Sequence, residues 1–401
     1  QDSYSLGEFI YRLHFFAQIP DPIGYYLSGL VAVFFLMAIV TGLIVHWKKI
    51  ISNFYQFRPW AKMKTVWTDS HTALGVIGLP FQFIYAVTGA FFMLKFLVVA
   101  PFVIALFNGD VESYDQTFSD EIPEYAFAYQ KMEGRIDVNT FLLETRKKWK
   151  DFNVTSLDVF NYGDQNMHVS ISGHLPEKTS FLSEGQLVFN AAEGNIVFEK
   201  SPFETLGYSA GVESAMMRLH FGDYAGVALK VVSFILGLIT CFVILSGVMI
   251  WITARNKKNI PPKKLKFNKG VVLYYLAICL SMFPVVALEF ILVKLFPSAG
   301  MSFIYITFFT AWLLLTIFFV LKKNNMFTVK WTLYSSCFLG VLIPIVNGAT
   351  SGNWLWISWK NDNQHVFTVD VLWLSIFLVL LLAIWKLRRG KPSEILKKIS
   401  K

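Results

Sequence analysis

The chain has 401 residues, of which 55% are hydrophobic and only 16% charged, with a formal net charge of +9. Soluble domains carry about 25% charged residues, so this composition excludes a soluble enzyme, a disordered regulator and a fibrous protein. In so apolar a chain the basic excess points to loops on the cytoplasmic face of a membrane rather than to nucleic acid.

The first residue is Gln1 rather than Met, which reads as a processed, trimmed or partial chain. Cys241, Cys279 and Cys337 lie in apolar runs and read as small buried hydrophobes; their spacing makes no disulfide framework and no zinc site.

A spanning helix needs about 20 apolar residues. In chain order the candidates are Ile23–Val45, Trp67–Leu94, Val231–Ile252, Val271–Leu292, Ser302–Leu321, Trp331–Asn347 and Val371–Trp385. A further apolar stretch, Phe96–Phe107, either extends the second helix or lies at the interface. Glu289, inside the fourth span, marks either a weaker span or a buried polar function.

Lysine and arginine orient the spans. The loop 46–66 holds Lys48, Lys49, Arg58, Lys62 and Lys64 and no acid. The loop 253–270 holds seven basic residues and no acid, Lys322, Lys323 and Lys330 mark the next alternate loop, and the tail after Trp385 is basic. These segments belong on the cytoplasmic side, with Gln1 outside and Lys401 inside. Residues 108–219 have 18 acidic and 9 basic residues, the mark of an extracytoplasmic domain. There, Val138, Phe141, Leu142, Thr145 and Trp149 fall at helical spacing within Asp137–Lys150. Strands are predicted at Ser156–Tyr162, Met167–Ser172, Gln186–Asn190 and Ile196–Glu199. Turns are predicted at Gly163-Asp164, Ser172-Gly173 and Glu193-Gly194-Asn195.

The expected fold is therefore an all-α polytopic membrane protein of about seven spans with a small α+β extracytoplasmic domain inserted. Its parts are 1–107, two spans with histidine motifs; 108–219, the inserted domain; 220–255, the third span; and 256–401, four C-terminal spans with a basic tail.

An internal repeat carries histidines. Arg12-Leu13-His14-Phe15 recurs as Arg218-Leu219-His220-Phe221, and the spans that follow end in Thr41-Gly42 and Ser246-Gly247. The second span has its own version, His71 followed by Thr88-Gly89. The glycines let backbones approach closely. His14 and His220 lie at the outer ends of their spans, while His46 ends the first span and His71 begins the second on the inner side. Taken singly, each reads as an interfacial hydrogen-bonding residue. Arranged two and two, they suit axial ligation of haem iron within a helical bundle equally well. His168 and His174, placed on adjacent strands, read as surface residues. His365, beside Trp354, Trp356 and Trp359, reads as interfacial, within an aromatic belt.

These stretches resemble the PepSY-associated transmembrane helix family, often described as iron-regulated membrane proteins. The resemblance rests on Phe9-Ile-Tyr-Arg-Leu-His14, Thr41-Gly-Leu-Ile-Val-His-Trp-Lys-Lys49, Trp67-Thr-Asp-Ser-His-Thr-Ala-Leu-Gly75, Leu79-Pro-Phe81 and Leu219-His-Phe-Gly-Asp-Tyr-Ala-Gly226. Leu342-Ile-Pro-Ile-Val-Asn347 is similar to the longer members with extra C-terminal spans. The resemblance implies a PepSY-like outer domain, a bacterial inner-membrane location and two b-type haems that pass electrons outward to a ferric siderophore or similar periplasmic acceptor. It implies His14 and His220 as outer ligands and His71 as an inner one. The inner partner is either His46 or a histidine on an upstream helix that the family usually has and this sequence lacks. Arg12 and Arg218 are then either partners of haem propionates or interfacial anchors. Asp69 either orients His71 or caps the second helix, with Thr68 and Ser70 as rival caps.

No nucleotide-binding signature occurs, so reducing power is expected from a partner, either a flavodoxin-like protein or a quinol. Three other readings stand beside the redox one: a transporter using Glu289, Lys294 and the Pro284 and Pro344 helices; an accessory subunit docking other membrane subunits through its C-terminal spans; and a sensor or protease-inhibiting role for the outer domain.

Overall fold

The computed structural model describes residues 4–58, 61, 63–118, 124–132, 134, 136–176, 179–255, 260–298 and 300–389. Lys62, Lys257, Lys258 and the basic tail beyond 389 lie outside the described residues. Among those described, seven helices are long and apolar enough to cross a membrane. The chain is a multi-pass membrane protein, with a small antiparallel sheet in the sequence between the second and third of these helices.

The helices in chain order are α1 (Leu6–His14), α2 (Ile23–His46), α3 (Ile50–Phe54), α4 (Met63–Phe107), α5 (Val111–Phe118) and α6 (Val138–Lys148). Strands β1 (Asn153–Phe160), β2 (His168–His174), β3 (Gly185–Asn190) and β4 (Ile196–Lys200) follow. Then come α7 (Tyr208–Phe221), α8 (Gly226–Arg255), α9 (Pro262–Leu295), α10 (Met301–Lys322), α11 (Asn325–Ser351), α12 (Leu355–Lys360) and α13 (Gln364–Arg389). The residues form two bodies. One comprises 1–24, 43–78 and 239–401; the other comprises 25–42 and 79–238.

All seven expected spans are helical, and each helix overruns its apolar run because polar turns at the ends continue the same backbone hydrogen bonding. Phe96–Phe107 is no separate interfacial piece. It belongs to α4, a 45-residue helix with Pro80 and Pro101 inside it. Large apolar side chains stand exposed on these helices, Phe34 at 67% and Leu106 at 70%, as expected of residues that face lipid rather than protein.

In the first body, α1 starts at Ser5, whose hydroxyl accepts from the Glu8 N–H at 3.1 Å. Its Phe9 is fully buried and meets the rings of Tyr305 and Phe308 on α10 at 5.1 and 4.8 Å. Gly24 opens α2 where a methyl group would collide with the Phe16 carbonyl. Cys337 is buried as expected, whereas Cys241 and Cys279 are exposed; thiols on outward helix faces need no protein cover in lipid.

In the second body the four strands pair antiparallel in the order β1-β2-β3-β4. Val169 is opposite Phe189 and Ile171 opposite Leu187. Alternate residues of β2 and β3 thus share one face, and α6 covers it with Phe141 and its neighbour Trp149. Asp137 caps α6 by accepting from the Asn139 N–H at 3.0 Å. Gly163 and Gly194 adopt positive φ in the predicted turns. Gly173 makes no turn. It continues β2, where a side chain would collide with the Asn153 carbonyl of β1, so here glycine marks close strand approach. His168 and His174 stand at opposite ends of this one strand, not on adjacent strands. His168 is buried, its ring stacked 3.6 Å from that of Tyr125.

Candidate functional site

The described histidines of the sequence motifs divide between the bodies: His14, His46 and His71 in the first, His220 in the second. Each body seats one of them against a hydroxyl of a residue that stands before glycine.

In the first body, α4 presents His71 to α8. Its Nδ1 lies 3.0 Å from the Val243 carbonyl and 3.0 Å from Ser246 Oγ. The Ser246 hydroxyl is itself within 2.8 Å of the Val243 carbonyl. A serine hydroxyl has one proton. With that proton on the Val243 carbonyl, Ser246 Oγ accepts, so the Nδ1–H of His71 donates. The neutral ring then keeps its lone pair on Nε2. The ring packs close to Gly247, where an added methyl would rest in ordinary contact with His71 Cε1 at 3.5 Å. Ser246 is fully buried and His71 half-buried.

In the second body the roles are exchanged. The histidine comes from α7 and the hydroxyl from α4. Thr88 Oγ1 lies 2.7 Å from the Ile84 carbonyl one turn back, and 2.7 Å from His220 Nδ1. With its proton on the Ile84 carbonyl, Thr88 accepts from the His220 Nδ1–H. Tyr85, Phe92 and Phe221 surround the ring edge-on, with centroids 5.8, 5.4 and 5.7 Å away. The adjacent Gly89 faces Ala32 of α2, where a methyl would lie 3.5 Å from the Ala32 Cβ.

The third motif, Thr41-Gly42, is different. Thr41 is exposed and its hydroxyl donates back to the Met37 carbonyl at 2.7 Å. His46 is exposed at the end of α2 and within electrostatic reach of His71. His14 closes α1 with its side chain exposed. Arg12 pairs with Glu8 one turn back at 2.6 Å. Arg218 is buried, its guanidinium 4.8 Å from the centre of the Phe181 ring. Asp69 neither touches His71 nor caps α4, which begins six residues earlier. It takes a bidentate clasp from Arg58, at 2.9 and 3.0 Å, together with the Arg58 N–H at 3.1 Å.

Two further features bear on chemistry. A cavity of about 370 Å³ in the second body is lined by His174, Gln186, Lys200 and Arg218, with Glu184 as its one acid. Among the described residues no three His, Cys, Asp or Glu side chains gather as a metal site, so the donors available are imidazoles in hydroxyl and aromatic surroundings.

The sequence placed the histidines and the hydroxyl–glycine pairs but read the pairs only as places of close backbone approach. The missing element was the partnership of Thr88 with His220 and of Ser246 with His71. Its signal was present: both pairs carry a hydroxyl, which close approach alone does not require.

Comparison with known proteins bears on the same helices. A family model described as the PepSY-associated TM region matches residues 1–254. No curated protein matches the chain.

Proposed function

The chain belongs to the PepSY-associated transmembrane family, and from that premise we propose that it is a b-type cytochrome of the bacterial inner membrane. It moves electrons from a cytoplasmic flavodoxin-like or quinol donor to an acceptor outside, of the ferric-siderophore type. The observation that carries this reading is the seating of His71 and His220, each with Nδ1 within hydrogen-bond distance of a helix hydroxyl, Ser246 or Thr88, the contact by which the second ring nitrogen of a ligating imidazole is held.

The residues present fit haem on the chemistry of their donors. Imidazole is an axial ligand for haem iron, and a hydrogen bond from the second ring nitrogen orients it and raises its basicity. His71 and His220 would hold the two groups. Haem b supplies one-electron chemistry when bound. The chain's own contribution is to orient each imidazole against Ser246 or Thr88, and to surround His220 with Tyr85, Phe92 and Phe221. The cavity beside Lys200, His174 and Arg218 suits an anionic, oxygen-rich acceptor. The basic loops belong to the cytoplasmic side, and the sheet-bearing lobe lies outside.

The test is an absorption spectrum of the purified chain in detergent, with haem extracted and counted per protein. A Soret band and sharp bands on reduction, with two haems per chain, are expected. A colourless protein from haem-replete cells overturns the reading.

A further inference from the structure

The helices after residue 254 lie beyond the family match, and they bury a line of polar groups that the redox reading does not use. Glu289 of α9 has no accessible surface. Its Oε2 lies 3.1 Å from Thr307 Oγ1 on α10, and its Oε1 is buried without a hydrogen-bond partner. Thr307 Oγ1 is also 2.8 Å from the Phe303 carbonyl of its own helix. The Thr307 hydroxyl donates to Oε2. The ionised form would be a buried charge without a cation, which an apolar bundle opposes, so Glu289 rests as the neutral acid.

The charged and titratable groups on the helices packed around Glu289 are engaged elsewhere. Lys294, farther along α9, acts on Asp370 of α13, which Asn347 of α11 holds at 3.2 Å. Tyr305 of α10 meets Tyr4 at 3.5 Å, and Glu8 and Arg12 of α1 pair with each other. On α11, Tyr334 meets Lys330 and Arg388, and Cys337 is buried.

Toward the lysine-rich start of α9, the bundle buries hydroxyls. Ser281 lies 2.8 Å from Thr316, and Thr332 and Ser336 of α11 are buried with no hydrogen-bond partner. Buried hydroxyls in that condition can take a bound water as partner. Ser281 and Glu289 are about 12 Å apart along α9. In that interval an open groove of about 400 Å³ is lined almost wholly by apolar side chains, Leu288, Leu314, Leu315, Phe318 and Leu339 among them, and suits acyl chains rather than water. Pro284 also removes the backbone hydrogen bond to the Leu280 carbonyl, leaving an acceptor on the same stretch.

We propose that Glu289 is a proton-binding site within the bundle, with the buried hydroxyls of Thr332, Ser336, Ser281 and Thr316 as its polar approach from the lysine-rich end. The exchange is a bare proton transfer: the carboxylic O–H gives its proton to water, the electron pair stays on the carboxylate, and no electrons move. The site is independent of haem.

The test labels the full chain in lipid vesicles with dicyclohexylcarbodiimide, an apolar reagent that adds to protonated carboxyls, and locates the adduct by peptide mass spectrometry. The expected adduct is on Glu289, lost in Glu289→Gln and declining as the buffer is made alkaline. In Ser336→Leu, the decline after a pH jump should lag several-fold behind that of the parent chain. An unlabelled Glu289, labelling on Asp370 instead, labelling unaffected by pH, or an unchanged lag in Ser336→Leu overturns the proposal. The first three outcomes are read on the parent chain, so they need no variant to fold.

Discussion

The sheet-bearing lobe and the membrane-crossing helices treat their large apolar side chains differently. In the lobe Val169, Ile171, Leu187 and Phe189 are fully buried, arranged by strand alternation. In the helices Thr88, Ser246, Ser281, Glu289 and Ser336 are buried while Phe34 and Ile44 stand exposed. Apolar burial drives folding only where water is the alternative. In lipid, polar pairing and close packing choose the contacts. Energetics in the lobe should therefore follow apolar volume, and function in the helices should follow hydroxyls and imidazoles.

The largest effect expected from this contrast is at the histidines. His71→Ala and His220→Ala should each remove about half of the bound haem, measured by extraction per protein; full retention in both breaks the assignment. Next, Phe189→Ala in the lobe should cost about 3–5 kcal/mol, read from urea unfolding by Trp149 fluorescence. Phe34→Ala on α2, a change of equal size at an exposed position, should leave haem content and thermal stability near the parent values. Third, Thr88→Val keeps the shape of the side chain but removes the acceptor for His220. Haem retention should weaken about tenfold, and Thr88→Ser should restore it.

A pH effect sharpens the lobe side of the comparison. Burial would raise the Asp164 carboxyl, but the N–H groups of Asn166, Ala128 and Gln130 outweigh it and hold it below the usual carboxylate range. A depressed carboxyl stabilises the fold above its ordinary titration range, and that contribution is lost as pH falls through the range toward the folded value. Acid unfolding of the lobe should therefore flatten in Asp164→Asn. The smallest effect is expected at Lys148→Ala, which removes an exposed pair with Glu199 at 2.7 Å and should cost less than about 1 kcal/mol.

The spans and the sheet were legible because periodicity and hydropathy are local. Phe141, Thr145 and Trp149 repeat at helical spacing, and they are the residues of that segment that become buried. The partners were not legible because each is set by packing between distant segments. Asp69 meets Arg58 rather than His71, and His168 stacks on Tyr125. Gly173 looked like a turn because its real reason, a carbonyl of the neighbouring strand, lies twenty residues back. Glu289 stood out as an acid within a span, but its relation to Thr307 required α10 to be in place.

The length of α4 has a practical consequence. Its 45 residues make a rod of about 68 Å against a hydrocarbon thickness of about 30 Å. Transmembrane helices lean by no more than about 40°, and at that tilt roughly 26 residues fit within the acyl chains. The remaining turns must pass through headgroups or beyond while still bearing side chains such as Phe102 and Ile104. Extraction should therefore favour long-chain, bulky-headed surfactants over small micelles, which would leave those turns bare.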